Sequence, residues 1–171
     1  ANSAKIEVNE VFAYTCGHCF NFESVLEPWI ETLAADVDMQ RTPAVWQPAL
    51  EPFARAYYSA VLLDVLNKTH MAIFEALHVK RQKVRTEADL AAIFAAAGVD
   101  GPQFSKAYNS FGMTSMVNQA KARVRGYRVQ GTPELIVNGK YRVSSRNVGG
   151  FEGMLNVADF LIEKERSAKA K

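Results

Sequence analysis

The chain has 171 residues, of which 49% are hydrophobic and 22% charged, with a formal net charge of +2. That is enough polypeptide to bury a substantial core, as one domain or one domain carrying an insertion, without crosslinks or metals. The near balance of charge gives no reason to expect nucleic acid or an anionic membrane as the main partner, and two cysteines are too few for a disulfide-stapled scaffold.

No signal peptide is visible at Ala1–Lys5, and no apolar run approaches the length of a membrane-spanning helix. Residues 6–13, IEVNEVFA, are rich in β-formers and predict a buried strand leading into Tyr14-Thr15-Cys16. After Cys19 the period changes. Phe22, Leu26, Trp29, Ile30 and Leu33 fall at helical spacing, so a helix is expected from near the cysteines to about Ala35, bent by Pro28. Residues 37–46 predict a second strand, which Pro43 confines to a sheet edge or ends early.

From about Leu50 to Arg125 the pattern is helical throughout. Phe53, Tyr57, Ala60, Val61 and Val65 mark one amphipathic helix, and Ile73, Phe74 and Leu77 a short second one. Thr86 with Asp89 resembles a capping box, and Gly98 is placed to end the helix that follows. Asp100-Gly101-Pro102 reads as a turn, Phe104, Tyr108 and Phe111 as one helical face, and Gly112 as a separator before a helix through Met116, Val117, Ala120 and Val124. Phe111, Met113, Met116, Trp29 and Trp46 are expected to serve as packing residues, and the basic clusters 80–85 and 121–128 as solvated faces. Strand character returns at Pro133–Val137. Asn138-Gly139 then predicts a two-residue hairpin turn and Lys140–Val143 the return strand. Phe151, Met154, Leu155, Ala158, Leu161 and Ile162 give a last amphipathic helix, ahead of a basic tail expected to fray. The order β-α-β, helical block, β-β-α is that of a strand–helix module split by a helical insertion. The expected division is 1–48 with 126–171 for the module and 49–125 for the insertion.

The chemistry is concentrated in Cys16-Gly17-His18-Cys19, which holds both cysteines. A structural zinc site needs about four ligands, and no second ligand pair exists, since His70 and His78 could join only by long-range folding. Covalent haem attachment needs histidine after the second cysteine, where Phe20 stands. A crosslink closing so short a loop removes little chain entropy. A redox dithiol fits best. Cys16 lies where a strand ends and a helix begins, and the unpaired amides and positive pole of a helix start favour a thiolate. His18, when protonated, adds a positive charge in the same turn. A stabilised thiolate is reactive near neutral pH, leaves readily, and makes the disulfide the stronger oxidant. Cys16 is thus expected to be the attacking sulfur and the more buried Cys19 the resolving one. No metal or dissociable cofactor is expected beyond the Cys16–Cys19 disulfide itself.

With Glu10-Val-Phe-Ala-Tyr14-Thr-Cys16-Gly-His-Cys19-Phe-Asn-Phe-Glu23, the long helical insertion, and Gly131-Thr132-Pro133-Glu-Leu-Ile-Val137-Asn-Gly139-Lys-Tyr141, the chain resembles the bacterial thiol:disulfide interchange protein DsbA family over nearly its whole length. The resemblance implies an α/β thioredoxin-like fold with an inserted all-helical domain. It implies that Thr132-Pro133 is a cis-proline loop whose Thr132 backbone bonds an extended client chain. It implies that Glu10 is a buried acid used in proton transfer, with Arg41 as its basic partner. Gly17 stands where the family has proline, and Thr132 where valine is common in the strongest oxidants. Both positions tune thiolate stability and substrate release.

The function expected on this basis is that of a periplasmic dithiol oxidase. It would act as a monomer on unfolded, newly translocated proteins and be reoxidised by a DsbB-like membrane quinone reductase. The alternatives are a disulfide reductase or isomerase, which Gly17 favours, a peptide-binding chaperone-like module, and a cytosolic dithiol transferase.

Overall fold

The computed structural model describes residues 5–146 and 148–169. Outside them lie residues 1–4, which make up most of the N-terminal stretch without a visible signal peptide, Asn147, and the last two residues of the basic tail.

The chain divides into two compact units. The first comprises Ala1–Phe12, His18–Thr42 and Arg123–Lys171. Its strands are β1 (Ile6–Phe12), β2 (Val37–Pro43), β3 (Glu134–Val137) and β4 (Tyr141–Ser144), ordered β2-β1-β3-β4 in one sheet. The helix α1 (Gly17–Thr32) connects β1 to β2 and runs on through Pro28, ending three residues before the position its apolar spacing suggested. β2 occupies an edge and ends at Pro43, the place where a missing amide donor costs no ladder bond. β3 is internal and buried along its whole length, antiparallel to β1 with Glu10 opposite Leu135 and Val11 opposite Glu134. Ile6 and Val8 of β1, Leu135 and Val137 of β3, and Phe22, Leu26 and Trp29 of α1 form one apolar core with Met154, Leu155, Ala158 and Ile162 of α7 (Gly150–Lys169).

Two expectations in this unit change. Asn138 and Gly139 both take positive φ, as a tight hairpin turn requires. The ladder, however, resumes at Tyr141 opposite Val137, so Lys140 belongs to the turn and not to the return strand. The basic tail does not fray at Lys164. α7 continues to Lys169, because Glu165 is buried against Lys140 at 2.6 Å and Arg166 pairs with Asp36 at 2.6 and 2.7 Å.

The second unit comprises Ala13–Gly17 and Pro43–Ala122. A 3-10 turn at Pro48–Leu50 leads into α2 (Glu51–Leu62), followed by α3 (Leu66–His78), α4 (Glu87–Ala96), α5 (Gly101–Tyr108) and the first part of α6 (Phe111–Gly126). The capping box forms as expected. Thr86 accepts from the Asp89 amide while the Asp89 carboxylate accepts from the Thr86 amide. Gly98 takes a φ of 89° just past the end of α4.

Elsewhere the sequence signals were displaced. Asp100-Gly101-Pro102 is a helix start, in which the Asp100 carboxylate caps the Gln103 amide at 2.7 Å and Pro102 occupies a first-turn position that needs no donor. The break before α6 falls at Ser110 and not at Gly112, which is helical. Met113 is core, packed with Ala54 and Val117, but Phe111 is fully exposed and Trp46 half exposed, so neither packs as expected.

Candidate active site

β1 delivers the chain to the start of α1, and the four residues Cys16–Cys19 straddle that start. Cys16 immediately precedes the helix, its own amide donating to the Ala13 carbonyl at 3.0 Å. Gly17 and His18 are exposed first-turn residues. Cys16 is half-buried, whereas Cys19 is fully buried. No acidic residue occupies the first turn of α1, so nothing there opposes the positive pole that the helix start presents to a sulfur.

Within the first unit, Glu10 on β1 is fully buried. Arg41 on β2 reaches it with Nε at 2.9 Å and extends its Nη2 to Glu23 of α1 at 3.2 Å and to Glu27. One guanidinium therefore serves three carboxylates. Burial, reinforced by the Glu23 charge and only partly offset by Arg41, pushes the Glu10 carboxyl up to about 8. Glu10 Oε1 is buried with no hydrogen-bond partner among the described residues. Such an acid holds its proton at neutral pH and has one oxygen uncommitted.

The same unit carries the proline loop. The Thr132–Pro133 peptide bond is cis. Thr132 and Pro133 line a cavity of about 420 Å³ together with His18, Gln130, Gly131, Glu134, Arg142, Ser144, Ser145 and Arg146. His18 of the dithiol segment and the proline loop thus share one opening. Glu134 at its base is buried, its Oε2 lying 3.0 Å from Arg142 Nε, close enough to pair but misaligned for a hydrogen bond. Its Oε1 accepts weakly from the Gln130 amide at 3.4 Å. Burial raises the Glu134 carboxyl above its ordinary range, against the pull of Arg142.

Within the second unit, Tyr14 is gripped twice by α3. Its hydroxyl lies 2.8 Å from His70 Nδ1, and its carbonyl accepts from His78 Nε2 at 2.7 Å. Its ring meets Phe74 edge-on at 4.9 Å. A Cβ on Gly17 would lie 3.9 Å from His78 Nδ1, an ordinary contact, so packing does not require glycine there. The two histidines considered as distant zinc ligands both engage Tyr14. Among the described residues no three His, Cys, Asp or Glu side chains gather as a metal ion would need.

The structure therefore brings Glu10 to Arg41, and His18 to Thr132 and Pro133. Sequence reasoning passed over Glu23, Glu27 and Glu134, the arginines at 142 and 146, and the Tyr14 clamp. For the first pair the signal was present. Cys19, Glu23 and Glu27 recur at four-residue spacing, which puts them on one helix face. For Glu134 the only sign was an acid inside an otherwise apolar strand.

Comparison with known proteins places the chain in a family. The family model described as a DSBA-like thioredoxin domain matches residues 34–159. The thiol:disulfide interchange protein DsbA of Pseudomonas aeruginosa is 40% identical over 167 residues, covering 98% of this chain and 79% of that protein. The protein of the same name from Azotobacter vinelandii is 39% identical over 169 residues, covering 99% and 79%. A crystal structure of Pseudomonas aeruginosa DsbA superposes with a TM-score of 0.95 at 39% identity, covering 100% of this chain and 89% of that one. The family-model match begins beyond the cysteines. The alignments with the two relatives cover almost the whole chain and so run across them.

Proposed function

The chain belongs to the DsbA family of thiol:disulfide interchange proteins, and from that premise we propose how its residues carry out the exchange. It is a thiol:disulfide oxidoreductase of thioredoxin fold that donates its Cys16–Cys19 disulfide to protein thiols.

A client thiolate attacks the Cys16 sulfur. The Cys16–Cys19 bond breaks, a mixed disulfide forms at Cys16, and Cys19 leaves with the electron pair. Cys19 is sealed from water, so its thiolate takes a proton from the buried store at Glu10. A second client thiolate then attacks the client sulfur of the mixed disulfide. The client departs with a disulfide, having lost two electrons, and Cys16 departs as a thiolate favoured by the helix start and His18. Gly17 and Thr132 tune that thiolate and the release of the client. The Thr132 and Pro133 backbone receives the extended client chain beside His18.

Reoxidation reverses the proton path. Cys16 attacks the disulfide of a DsbB-like membrane quinone reductase, Glu10 takes the Cys19 proton, and Cys19 closes the bond. Arg41 holds Glu10 in place throughout. Clients are newly translocated, unfolded chains, and the enzyme works as a monomer in the periplasm, where dithiols are kept oxidised. The redox group is the enzyme's own disulfide. Among the described residues no helix is long and apolar enough to cross a membrane.

The observation that carries this reading is the exposure difference between the two sulfurs, Cys16 half-buried and Cys19 fully buried. The test is the dithiol–disulfide equilibrium across glutathione buffers, alongside dithiol-peptide oxidation by Cys16→Ser. An oxidising midpoint and an inactive variant are expected. A midpoint as reducing as thioredoxin's would make the protein a reductase or isomerase, and a fully active Cys16→Ser would rule the mechanism out.

A further inference from the structure

The cavity beside the proline loop is polar and carries more positive than negative charge. Its ladder geometry explains which charge is left over. Glu134 of β3 pairs with Ser144 of β4. β4 ends there, and Ser145 and Arg146 follow in a bend and a turn; all four of these residues line the cavity with Thr132 and Pro133. Arg142 is already engaged. Its Nε pairs with Glu134 at 3.0 Å and its Nη1 donates to the Arg128 carbonyl. Arg146 is exposed, and among the described residues no carboxylate lies within ion-pair distance of it. Glu134 and Arg142 cancel one another, so Arg146 supplies the net charge of the opening, flanked by the hydroxyls of Ser144 and Ser145.

We propose that this wall makes the enzyme favour client segments with an acidic side chain close to the reacting cysteine, and that Arg146 is the residue that reads it. The inference rests on the dithiol-oxidase reading above, in which the client backbone lies along Thr132. A chain bonded there in extended form sends alternate side chains toward the wall opposite the loop. An aspartate or glutamate meets Arg146 and the two serine hydroxyls, whereas a lysine meets like charge. An exposed pair of this kind is worth up to about fivefold in affinity and is weakened by salt.

The experiment uses three reduced dithiol peptides, identical except for Asp, Ala or Lys two residues from the first cysteine. Each is oxidised by the oxidised wild-type protein, by Arg146→Ser and by Arg146→Glu, at low and high salt. Taking the Asp-to-Lys ratio of kcat/KM and comparing it between proteins cancels the intrinsic reactivity of each peptide. The ratio is expected to fall several-fold, by up to about fivefold, in Arg146→Ser relative to wild type. In Arg146→Glu it should drop by about tenfold relative to wild type, with both changes shrinking at high salt. A ratio that stays the same in all three proteins, while the Ala peptide is oxidised normally by wild type, overturns the proposal alone. Failure of wild type to oxidise even the Ala peptide overturns the oxidase reading on which it rests.

Discussion

Glu10 and Glu134 sit on neighbouring strands, both stripped of water and both facing an arginine, at 2.9 and 3.0 Å. Burial raises the carboxyl of each. What separates them is the company. Around Glu10 three carboxylates share Arg41, so negative charge is in excess and a proton is retained near neutrality. Around Glu134 there are two arginines, one of them uncommitted, so the excess is positive. In the proposed mechanism the first arrangement stores a proton for a buried thiol. The second offers a charge to whatever enters the cavity. A buried acid beside an arginine has no fixed meaning until the remaining charges within reach are counted.

The largest test of this contrast removes the shared cation. Arg41→Met leaves three carboxylates without a counter-charge and should destabilise the protein by about 3 kcal/mol at pH 8 in urea unfolding. The loss should shrink at pH 5, where protonation replaces the missing cation. An equal loss at both pH values would break the account.

Next in size is Glu10→Gln. The unfolded carboxyl titrates in the ordinary range and the folded one near 8. Between those values the folded protein holds a proton that the unfolded chain has released, so wild-type stability falls as pH rises through that window and levels off above it. The amide should abolish this slope and leave the variant more stable than wild type above pH 8, by on the order of a few kcal/mol. The same variant should slow closure of the mixed disulfide during reoxidation by roughly 10²-fold, read by stopped-flow with an acid quench.

Glu134→Gln should cost only about 1 kcal/mol, because its arginine is partly solvated. It should also release the Arg142 charge into the cavity and so increase the preference for the Asp peptide. A decrease would show that Glu134 does not set the sign of that region.

The smallest effect is expected away from both acids. His78→Leu loses one hydrogen bond to the Tyr14 carbonyl, about 1 kcal/mol by urea unfolding, and should leave the client charge preference unaltered.

Much of this was legible in order along the chain. A period that switches from β to helical directly after Cys19 places the pair near a helix start, and a helix start acts on charge through its own backbone wherever it occurs. Thr86 with Asp89 and Asn138 with Gly139 were readable for the same reason, since caps and turns depend on residues a few positions apart. Local signals failed where two structures share one vocabulary. Asp100-Gly101-Pro102 suits a turn and a helix cap alike, and Gly112 is tolerated inside a helix as well as between two.

The chemistry of the dithiol, the helical character of the long middle segment and the strand edge at Pro43 were determined by the sequence itself, because each follows from neighbours in the chain. Only the tertiary structure decided that Arg41 meets Glu23 and Glu27 as well as Glu10, that two histidines of α3 hold Tyr14, and that Arg146 lines a cavity with Thr132. Those groups come from segments far apart in sequence. Their charge states depend on how many opposite charges and how little water the fold leaves around them, which periodicity along the chain does not encode.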